Sequence, residues 1–248
     1  MADRSHIEWT DATWNPATGC TKISAGCDNC YAERFSERFR GVEDHPFEKG
    51  FDLTLKPARL SQPLRWRKSR MIFVNSMSDL FHKKIPIDYI DKVFDVMEEA
   101  DQHVYQVLTK RSSLMRNYLN NRYKNKLAPS HIWVGVSIET QRELVRLHHL
   151  KQSRAAVRFV SFEPLLAAIG KVSMDGISWA IVGGESGPGA RPIDAEWVRE
   201  LRDQCLSQGV AFFFKKWGGR TPKAQVNKID GRQWLQFPGH NQNIEAYA

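Results

Sequence analysis

Three cysteines close together are the residues of this chain best suited to chemistry. Cys20, Cys27 and Cys30 lie within eleven residues, with the spacing C-x6-C-x2-C, while Cys205 lies far away in sequence. Soft thiolate ligands select zinc or iron–sulfur centres. A structural zinc ion or a fully ligated cluster usually takes four protein ligands. The count of three therefore favours an iron–sulfur centre with one iron left open for a further ligand.

A structural zinc site is an alternative that the residues leave open. Three cysteines and one histidine form a common zinc ligand set, and His45 or His82 is a candidate for the fourth ligand. A disulfide is not expected, because residues 1–10 are polar and no apolar signal-peptide core follows them. No run approaches the ~20 apolar residues of a membrane span. These features predict a reducing, cytoplasmic setting and no membrane partner.

Length and charge give a first indication of domain organisation and partners. The chain has 248 residues, a formal net charge of +8 and a pI of about 9.4. This basic balance favours a polyanionic partner. No internal repeat or linker divides the sequence, so we expect one domain over residues 1–248. Its core is predicted at about 7–217, followed by an irregular tail at about 218–248.

Short apolar runs alternate with helical patterns along the chain. Alternation of strands and helices predicts a parallel sheet with crossover helices. With a further short strand near residues 13–15, the pattern predicts an α/β fold of the partial (βα)6-type TIM-like barrel kind. The predicted strands are residues 71–74, 103–108, 132–136, 157–160, 179–182 and 210–214, and the predicted helices are 88–100, 112–119, 140–150 and 194–207, with Asp194 as an N-cap.

Polar side chains follow directly after the predicted strands. In barrels of this kind the carboxyl ends of the strands carry the active site. We therefore expect the polar side chains and the first cysteine to converge on one cavity at that end. The residues predicted to meet there are Cys20, Asp79, Lys110, Ser137, Glu163 and Glu185.

Several of these segments match the motifs of a known superfamily. Asn15 and Pro16, Gly19 and Cys20, and residues 27–32 resemble the N-P-x-x-G-C…C-x-Y-C-Y-A signature of the spore photoproduct lyase-like branch of the radical S-adenosylmethionine (SAM) superfamily. The chain is most similar to a phage-associated three-cysteine family of radical-SAM-like proteins. That similarity covers nearly the whole chain, through residues 107–110, 135–138, 159–165 and 181–186.

The resemblance implies a radical-SAM-type barrel, a [4Fe–4S] cluster on the three cysteines, bound SAM and an electron donor. On this basis Lys110 would hold the SAM carboxylate, with an ion pair to Glu139 or Glu163 as its alternative role. Asp79 would accept from the SAM amine, or else cap a helix. Ser137 and Glu139 would hold the ribose hydroxyls. The remaining predicted cofactor contacts are Glu163, Gly183, Gly184 and Glu185, the glycines because they permit close backbone approach to a ligand, with Arg191 as an anion contact. A tight irregular connection is the alternative interpretation of residues 183–191.

Two departures from the superfamily pattern favour a different function. The first gap between cysteines is x6 where the superfamily has x3, and residues 75–78 stand where G-G-E usually follows the second strand. Both differences affect the geometry with which SAM would bind at the cluster. They favour a cluster-bearing nucleic-acid-binding protein without SAM chemistry as the alternative to an enzyme.

Basic and aromatic residues interleave in three segments, at 64–70, 116–126 and 215–220. Such segments suit phosphates and unstacked bases, and single strands more than duplex. A solvated basic face is the alternative interpretation. The main hypothesis is therefore an iron–sulfur enzyme that repairs or modifies nucleic acid or a nucleotide. The predicted nucleic-acid contacts are Arg65, Trp66, Arg67, Lys68, Arg70, Arg122, Tyr123, Lys215, Lys216 and Trp217.

Overall fold

The computed structural model describes Ser5, residues 7–220 and residues 227–239 of the chain. Residues 221–226 and 240–248 of the predicted C-terminal tail lie outside the described residues. The described part is a mixed α/β unit. Its strands are β1 (Ala12–Trp14), β2 (Ala17–Thr18), β3 (Thr54–Leu55), β4 (Met71–Val74), β5 (Val104–Thr109), β6 (Ile132–Ser137), β7 (Val157–Phe162), β8 (Trp179–Gly183), β9 (Ala211–Lys216), β10 (Lys228–Ile229) and β11 (Arg232–Gln233). Its α-helices are α1 (Tyr31–Glu37), α2 (Ile87–Glu99), α3 (Ser112–Arg122), α4 (Val145–Lys151) and α5 (Ala195–Ser207).

Seven strands form one sheet in the order β1-β4-β5-β6-β7-β8-β9. Every neighbouring pair in this sheet is parallel. The carboxyl ends of all seven strands therefore meet at one edge. Strands β2 and β3 form a separate antiparallel pair, as do β10 and β11.

The sheet curls around an aromatic interior. The Trp9 ring lies 4.7 Å from the ring of Phe73 on β4 and 6.1 Å from that of Trp179 on β8. Since β5, β6 and β7 separate these two strands, one side chain contacts both only when the sheet is strongly curved. The result is an open half-barrel. Its interior cluster consists of Trp9, Phe73, Trp133, Phe159, Trp179, Ile181 and Phe213.

Helices cover the outer face of the sheet. In α2 the buried side chains recur at three- and four-residue intervals, which is the period that places them on one face of a helix. That face packs into the larger core between helices and sheet. At α5 the predicted N-cap is confirmed, because the Glu196 amide donates to the Asp194 carboxylate at 2.8 Å. The buried residues of α2 are Tyr89, Ile90, Val93, Phe94 and Met97.

The prediction of a parallel α/β half-barrel is confirmed, with differences in detail. Each predicted strand lies within two residues of the observed one. The predicted helix at 140–150 is a 3₁₀ turn, Gln141–Leu144, followed by the shorter α4. No helix occupies the connection between β7 and β8, so the alternation of strands and helices is incomplete there. Within the described residues, no helix is both long and apolar enough to cross a bilayer.

Packing inside the half-barrel gives a testable expectation at Gly135. This glycine pairs with Phe159 on the neighbouring strand, and an added Cβ would lie 2.5 Å from the Phe159 ring. We expect Gly135→Ala to destabilise the protein by about 1–3 kcal/mol, the usual cost of overpacking a core. Urea unfolding measures this value. Phe159→Leu in the same chain should recover part of the loss, and strictly additive effects would contradict the close contact.

Candidate functional site

A cavity of about 450 Å³ opens at the carboxyl edge of the sheet. All six side chains that were predicted to converge line this cavity, together with the two other clustered cysteines. Its floor is apolar and its rim is polar. The lining residues that matter below are Cys20, Cys27, Cys30, Asp79, Lys110, Ser137, Glu163, Gly184, Glu185, Lys215 and Lys216 on the rim and Trp9, Phe73 and Leu108 on the floor.

The alternation of side chains along the strands explains this convergence. Successive residues of a strand point to opposite faces of the sheet. Phe159 on β7 and Phe213 on β9 point into the half-barrel, so Ser161 and Lys215, two residues further along, point the same way and line the cavity. By the same rule Ser137 follows the interior residue Trp133 at an even interval.

The cysteine loop is anchored to the strand ends at Gly19. The Gly19 amide donates to the Met77 carbonyl at 2.9 Å, and the Ser78 hydroxyl donates to the Gly19 carbonyl at 2.6 Å. Gly19 has φ +82°, and a Cβ there would lie 2.3 Å from the Asp52 carbonyl oxygen. A glycine is required here by both conformation and space. It fixes the direction in which Cys20 leaves β2.

The three thiols line one cavity but differ in environment. None is in a disulfide, and all three are partly buried. Burial, with Asp79 nearby, raises the pKa of Cys20 to about 11. Binding of a metal centre must therefore displace a proton from this thiol. Among the described residues, no three His, Cys, Asp or Glu side chains are grouped so that they could hold a metal ion.

The other candidate metal ligands are not among the residues that line the cavity. Cys205 is fully buried in the core on α5. The His45 ring stacks on Phe39 at 3.8 Å, and His82 lies with Nε2 3.0 Å from the Thr21 hydroxyl. Neither histidine lines the cavity. The side chains proposed for a fourth zinc ligand are thus engaged by other partners.

Glu139 joins the cysteine loop to the half-barrel. Its carboxylate, whose side chain is 1% exposed, lies 2.7 Å from the Lys110 ammonium and 2.9 Å from the Arg146 guanidinium. The Ser24 hydroxyl of the cysteine loop donates to it at 3.0 Å, and a Cβ at Gly26 would lie 2.4 Å from its Cγ. The alternative role predicted for Lys110, an ion pair with Glu139, is the one observed. Glu139 does not line the cavity, and its predicted contact with a ribose stays a prediction.

The Asp79 carboxylate, like that of Glu139, is bound by donors of the protein itself. Its carboxylate accepts from the Thr109 hydroxyl at 2.7 Å, the Arg111 guanidinium at 3.2 Å and the backbone amide of Lys110 at 3.2 Å. The Phe81 amide donates to it at 3.0 Å. Both oxygens are therefore occupied by donors of the protein. Asp79 is not a helix N-cap either, because α2 begins only at Ile87.

Glu185 and Arg191 tie the loop after β8 to the cysteine loop. The Asn29 amide donates to the Glu185 carboxylate at 3.0 Å, and the Arg191 guanidinium forms an ion pair with the same carboxylate. Arg191 also donates to the Ala25 carbonyl at 2.7 Å. Burial alone would raise the pKa of Glu185, but the hydrogen bonds from Arg191 and Asn29 outweigh it and lower that pKa. Arg191 is thus a structural cation rather than a free anion contact.

The glycines after β8 approach other parts of the protein. A Cβ at Gly184 would lie 2.1 Å from the Trp217 carbonyl oxygen, and one at Gly183 would lie 2.7 Å from a carboxylate oxygen of Glu163. Gly183 does not line the cavity. The close approach that these glycines permit is to Glu163 after β7 and to Trp217 after β9, and the predicted contact of Gly183 and Gly184 with a cofactor stays a prediction. Glu163 in turn pairs with Lys215 at 3.1 Å, and this carboxylate outweighs the effect of burial and raises the pKa of Lys215.

Three polar groups of the cavity wall lack partners within the described residues, and one of them is the Trp9 indole nitrogen. The Ser137 hydroxyl makes no hydrogen bond there, and the buried Asn75 Nδ2 has no acceptor. Asn75 also has φ +58°, which is uncommon for a residue other than glycine. It was missed among the predicted contacts, although it opens the segment that replaces G-G-E. Ser137 and Asn75 are the groups best placed to hydrogen-bond a ligand.

The predicted nucleic-acid contacts do not lie on one surface. Residues 65–70 precede β4, and Gln102, which precedes β5, donates to the Trp66 carbonyl at 3.2 Å. This segment therefore lies at the amino ends of the strands, opposite the cavity. Trp217 packs on Phe214 at 4.7 Å and donates to the Lys228 carbonyl at 3.0 Å.

The segment around α3 is also unavailable for base stacking. Tyr123 is 1% exposed, and its hydroxyl donates to Glu98 at 2.6 Å. Arg122 is held by the carboxylates of Asp91, Asp95 and Glu98. Burial and ion pairing use both side chains within the fold, so the structure gives no support to Tyr123 and Arg122 as nucleic-acid contacts. Of the predicted set, Lys215 and Lys216 do line the cavity.

A family model described as a protein of unknown function, DUF5131, matches residues 4–238. The chain belongs to the DUF5131 family. That match includes the cysteine loop, every strand of the half-barrel and the cavity. No curated protein and no solved structure is similar enough to the chain to count as a match.

The role of Glu139 can be tested by removing its charge. Glu139→Gln leaves Lys110 and Arg146 partly buried without a carboxylate, so we expect a loss of about 3 kcal/mol in unfolding free energy and faster labelling of Cys27 by a thiol reagent. Glu200→Gln, an exposed site on α5, is the matched control and should change stability by less than about 0.5 kcal/mol. Equal effects of the two variants would contradict the anchoring role.

Proposed function

We propose that this protein is an iron–sulfur protein of the radical-SAM type that acts on nucleic acid or a nucleotide, by repair or modification. The observation that carries the proposal is the position of the three cysteines. Cys20, Cys27 and Cys30 line the same cavity, at the carboxyl edge of a parallel half-barrel. This edge is where barrels of this kind hold their reactive groups.

The chemical type of the three ligands supports an iron–sulfur cluster, although in the described residues they are not grouped as they would be around a single metal ion. Cys20, Cys27 and Cys30 are the residues that would hold it, since thiolates are the usual ligands of such clusters. A [4Fe–4S] cluster with three cysteine ligands supplies electron transfer and one iron that is open to a further ligand. Arg111 places a guanidinium nitrogen 3.7 Å from the Cys20 sulfur. A cation at this distance favours the thiolate form that metal binding requires.

The rest of the cavity suits a small molecule such as SAM. Its volume of about 450 Å³ falls within the range usual for small-molecule sites. The aromatic floor offers apolar contact, while the free donor of Asn75 and the free hydroxyl of Ser137 offer hydrogen bonds. We assign Ser137 to a ribose hydroxyl. Lys110 would share its ammonium between Glu139 and the SAM carboxylate.

A second candidate function is a cluster-bearing nucleic-acid-binding protein without SAM chemistry. The internal ion pairs favour it, because Asp79 and Lys110, the groups first assigned to the SAM amine and carboxylate, already have partners in the protein. The wider cysteine spacing points the same way. Both candidates require the same three thiolates, and they differ in whether SAM binds and is consumed.

The cluster itself is tested by cysteine substitution. Anaerobic reconstitution should give a brown protein that absorbs at about 400 nm and holds about four irons, as a [4Fe–4S] centre requires. Replacing Cys20, Cys27 or Cys30 with Ala should abolish the absorbance and the bound iron. Cys205→Ala should retain both. Full iron retention by the triple cysteine variant would overturn the assignment, and zinc in place of iron would support the structural alternative.

SAM chemistry is tested on the reconstituted protein. With SAM and a chemical reductant, the enzyme hypothesis predicts release of 5′-deoxyadenosine. Ser137→Ala should weaken SAM binding about tenfold by calorimetry, which corresponds to one lost hydrogen bond of about 1.5 kcal/mol. Ser207→Ala, on the exposed part of α5, should bind as the wild type does. A reconstituted wild type that neither binds nor cleaves SAM would favour the second candidate function.

A further inference from the structure

A second concavity adjoins the cysteine-lined cavity and is strongly basic. It measures about 710 Å³ and shares Thr21, Lys22, Lys110 and Arg111 with the cavity. No aspartate or glutamate is among its lining residues. We call it the basic groove, and its cationic or titratable members are Lys22, Lys83, Lys84, Lys110, Arg111, Arg146 and His149.

Most cations of the basic groove form ion pairs with carboxylates that do not line the groove. Lys110 and Arg146 pair with Glu139, and Arg111 pairs with Asp79. Lys22 pairs with Glu33 at 2.9 Å. These pairs hold the floor and rim of the groove in place while they cancel much of its charge.

Lys83 and Lys84 differ from the other cations. Both are exposed, and neither forms an ion pair within the described residues. They follow the buried His82 in the connection from β4 to α2. The uncompensated positive charge of the groove is therefore concentrated in these two side chains.

The groove also offers apolar contact next to its cations. Ile23 is 45% exposed, Leu114 is 43% exposed and Val145 is 55% exposed, and all three line it. The Ser112 hydroxyl lies 3.0 Å from His149 Nδ1 in the same wall. Lysines suit phosphates, and the exposed aliphatic side chains offer apolar contact to the faces of unstacked bases.

The basic groove is continuous with the cavity, whereas the segment at residues 65–70 is not. That segment lies at the amino ends of the strands. A six-residue strand such as β5 is roughly 20 Å long at about 3.3 Å per residue. A nucleic acid bound at residues 65–70 would thus remain a full strand length from the thiols. A strand in the basic groove would instead pass Lys110 and Arg111 at the rim of the cavity.

We propose that the basic groove binds the phosphate backbone of single-stranded nucleic acid and delivers one nucleotide to the cysteine-lined cavity. This inference rests on the proposed function and names its substrate surface. Lys83 and Lys84 supply the phosphate contacts, and Ile23, Leu114 and Val145 contact the bases. The strand in the groove passes the rim of the cavity, so a base must be unstacked before it can reach the thiols.

The experiment compares two lysines of the groove with two arginines at the opposite edge. Fluorescence anisotropy with a labelled single-stranded 12-mer measures binding to the wild type, to Lys83→Glu/Lys84→Glu and to the matched control Arg65→Glu/Arg67→Glu. We expect the groove variant to bind at least about tenfold more weakly at 50 mM salt, and the control to stay within about twofold. For Lys83→Ala/Lys84→Ala the slope of log affinity against log salt should flatten by about 1.4, at about 0.7 for each lost phosphate contact.

The outcomes distinguish this inference from the function on which it rests. The groove proposal would be overturned if both charge reversals weakened binding equally, or if the control alone did. It would also be overturned if the matched duplex bound more tightly than the single strand. Displacement of the labelled strand by polyglutamate as efficiently as by unlabelled strand would overturn it as well. Circular dichroism confirms that each variant is folded. If the wild type binds no oligonucleotide, the groove inference and the nucleic-acid substrate both fail. Iron content and 5′-deoxyadenosine release would still decide the cluster and SAM chemistry independently.

Discussion

The buried carboxylate of Glu139 is the contact on which the candidate site depends. It receives two cations from the half-barrel and a hydroxyl from the cysteine loop. A carboxylate with a 1% exposed side chain is stable only with such partners, because burial of an unpaired charge is costly. The same carboxylate packs against the position of Gly26, between the cysteines. The contacts of Glu139 with Ser24 and Gly26 therefore hold the cysteine loop in position.

A second set of contacts closes the loop from the other side. Arg191 pairs with Glu185 after β8 and donates to Ala25 within the cysteine loop, while Arg34 on α1 donates to the Ser186 carbonyl at 2.8 Å. The cysteine loop is therefore held on both flanks, as a preorganised site requires. The charged groups nearest the thiols thus act mainly on the protein itself. The groups left for a ligand are neutral donors, Ser137 and Asn75.

The carboxyl edge of the sheet therefore has two different surfaces, the cavity and the basic groove. The cavity has an aromatic floor and neutral hydrogen-bonding groups, which is the chemistry that the proposed nucleoside-bearing cofactor requires. The adjoining groove has uncompensated lysines and exposed aliphatic side chains, so it suits a charged polymer. Lys110 and Arg111 belong to both and are fixed by Glu139 and Asp79. One pair of buried carboxylates therefore positions the boundary between the two surfaces.

The sequence by itself determined the parallel α/β half-barrel, the strand positions and the convergence of polar residues at one edge. These follow from local periodicity, since the alternation of side chains along a strand fixes which residues face inward. Tertiary structure decided which of those polar groups remain free. Ser24 and Glu139 are 115 residues apart, and no local pattern indicates that they meet. The burial of Tyr123, the placement of residues 65–70 at the far edge and the exposure of Lys83 and Lys84 also depend on which surfaces pack together, because burial is a property of the whole fold.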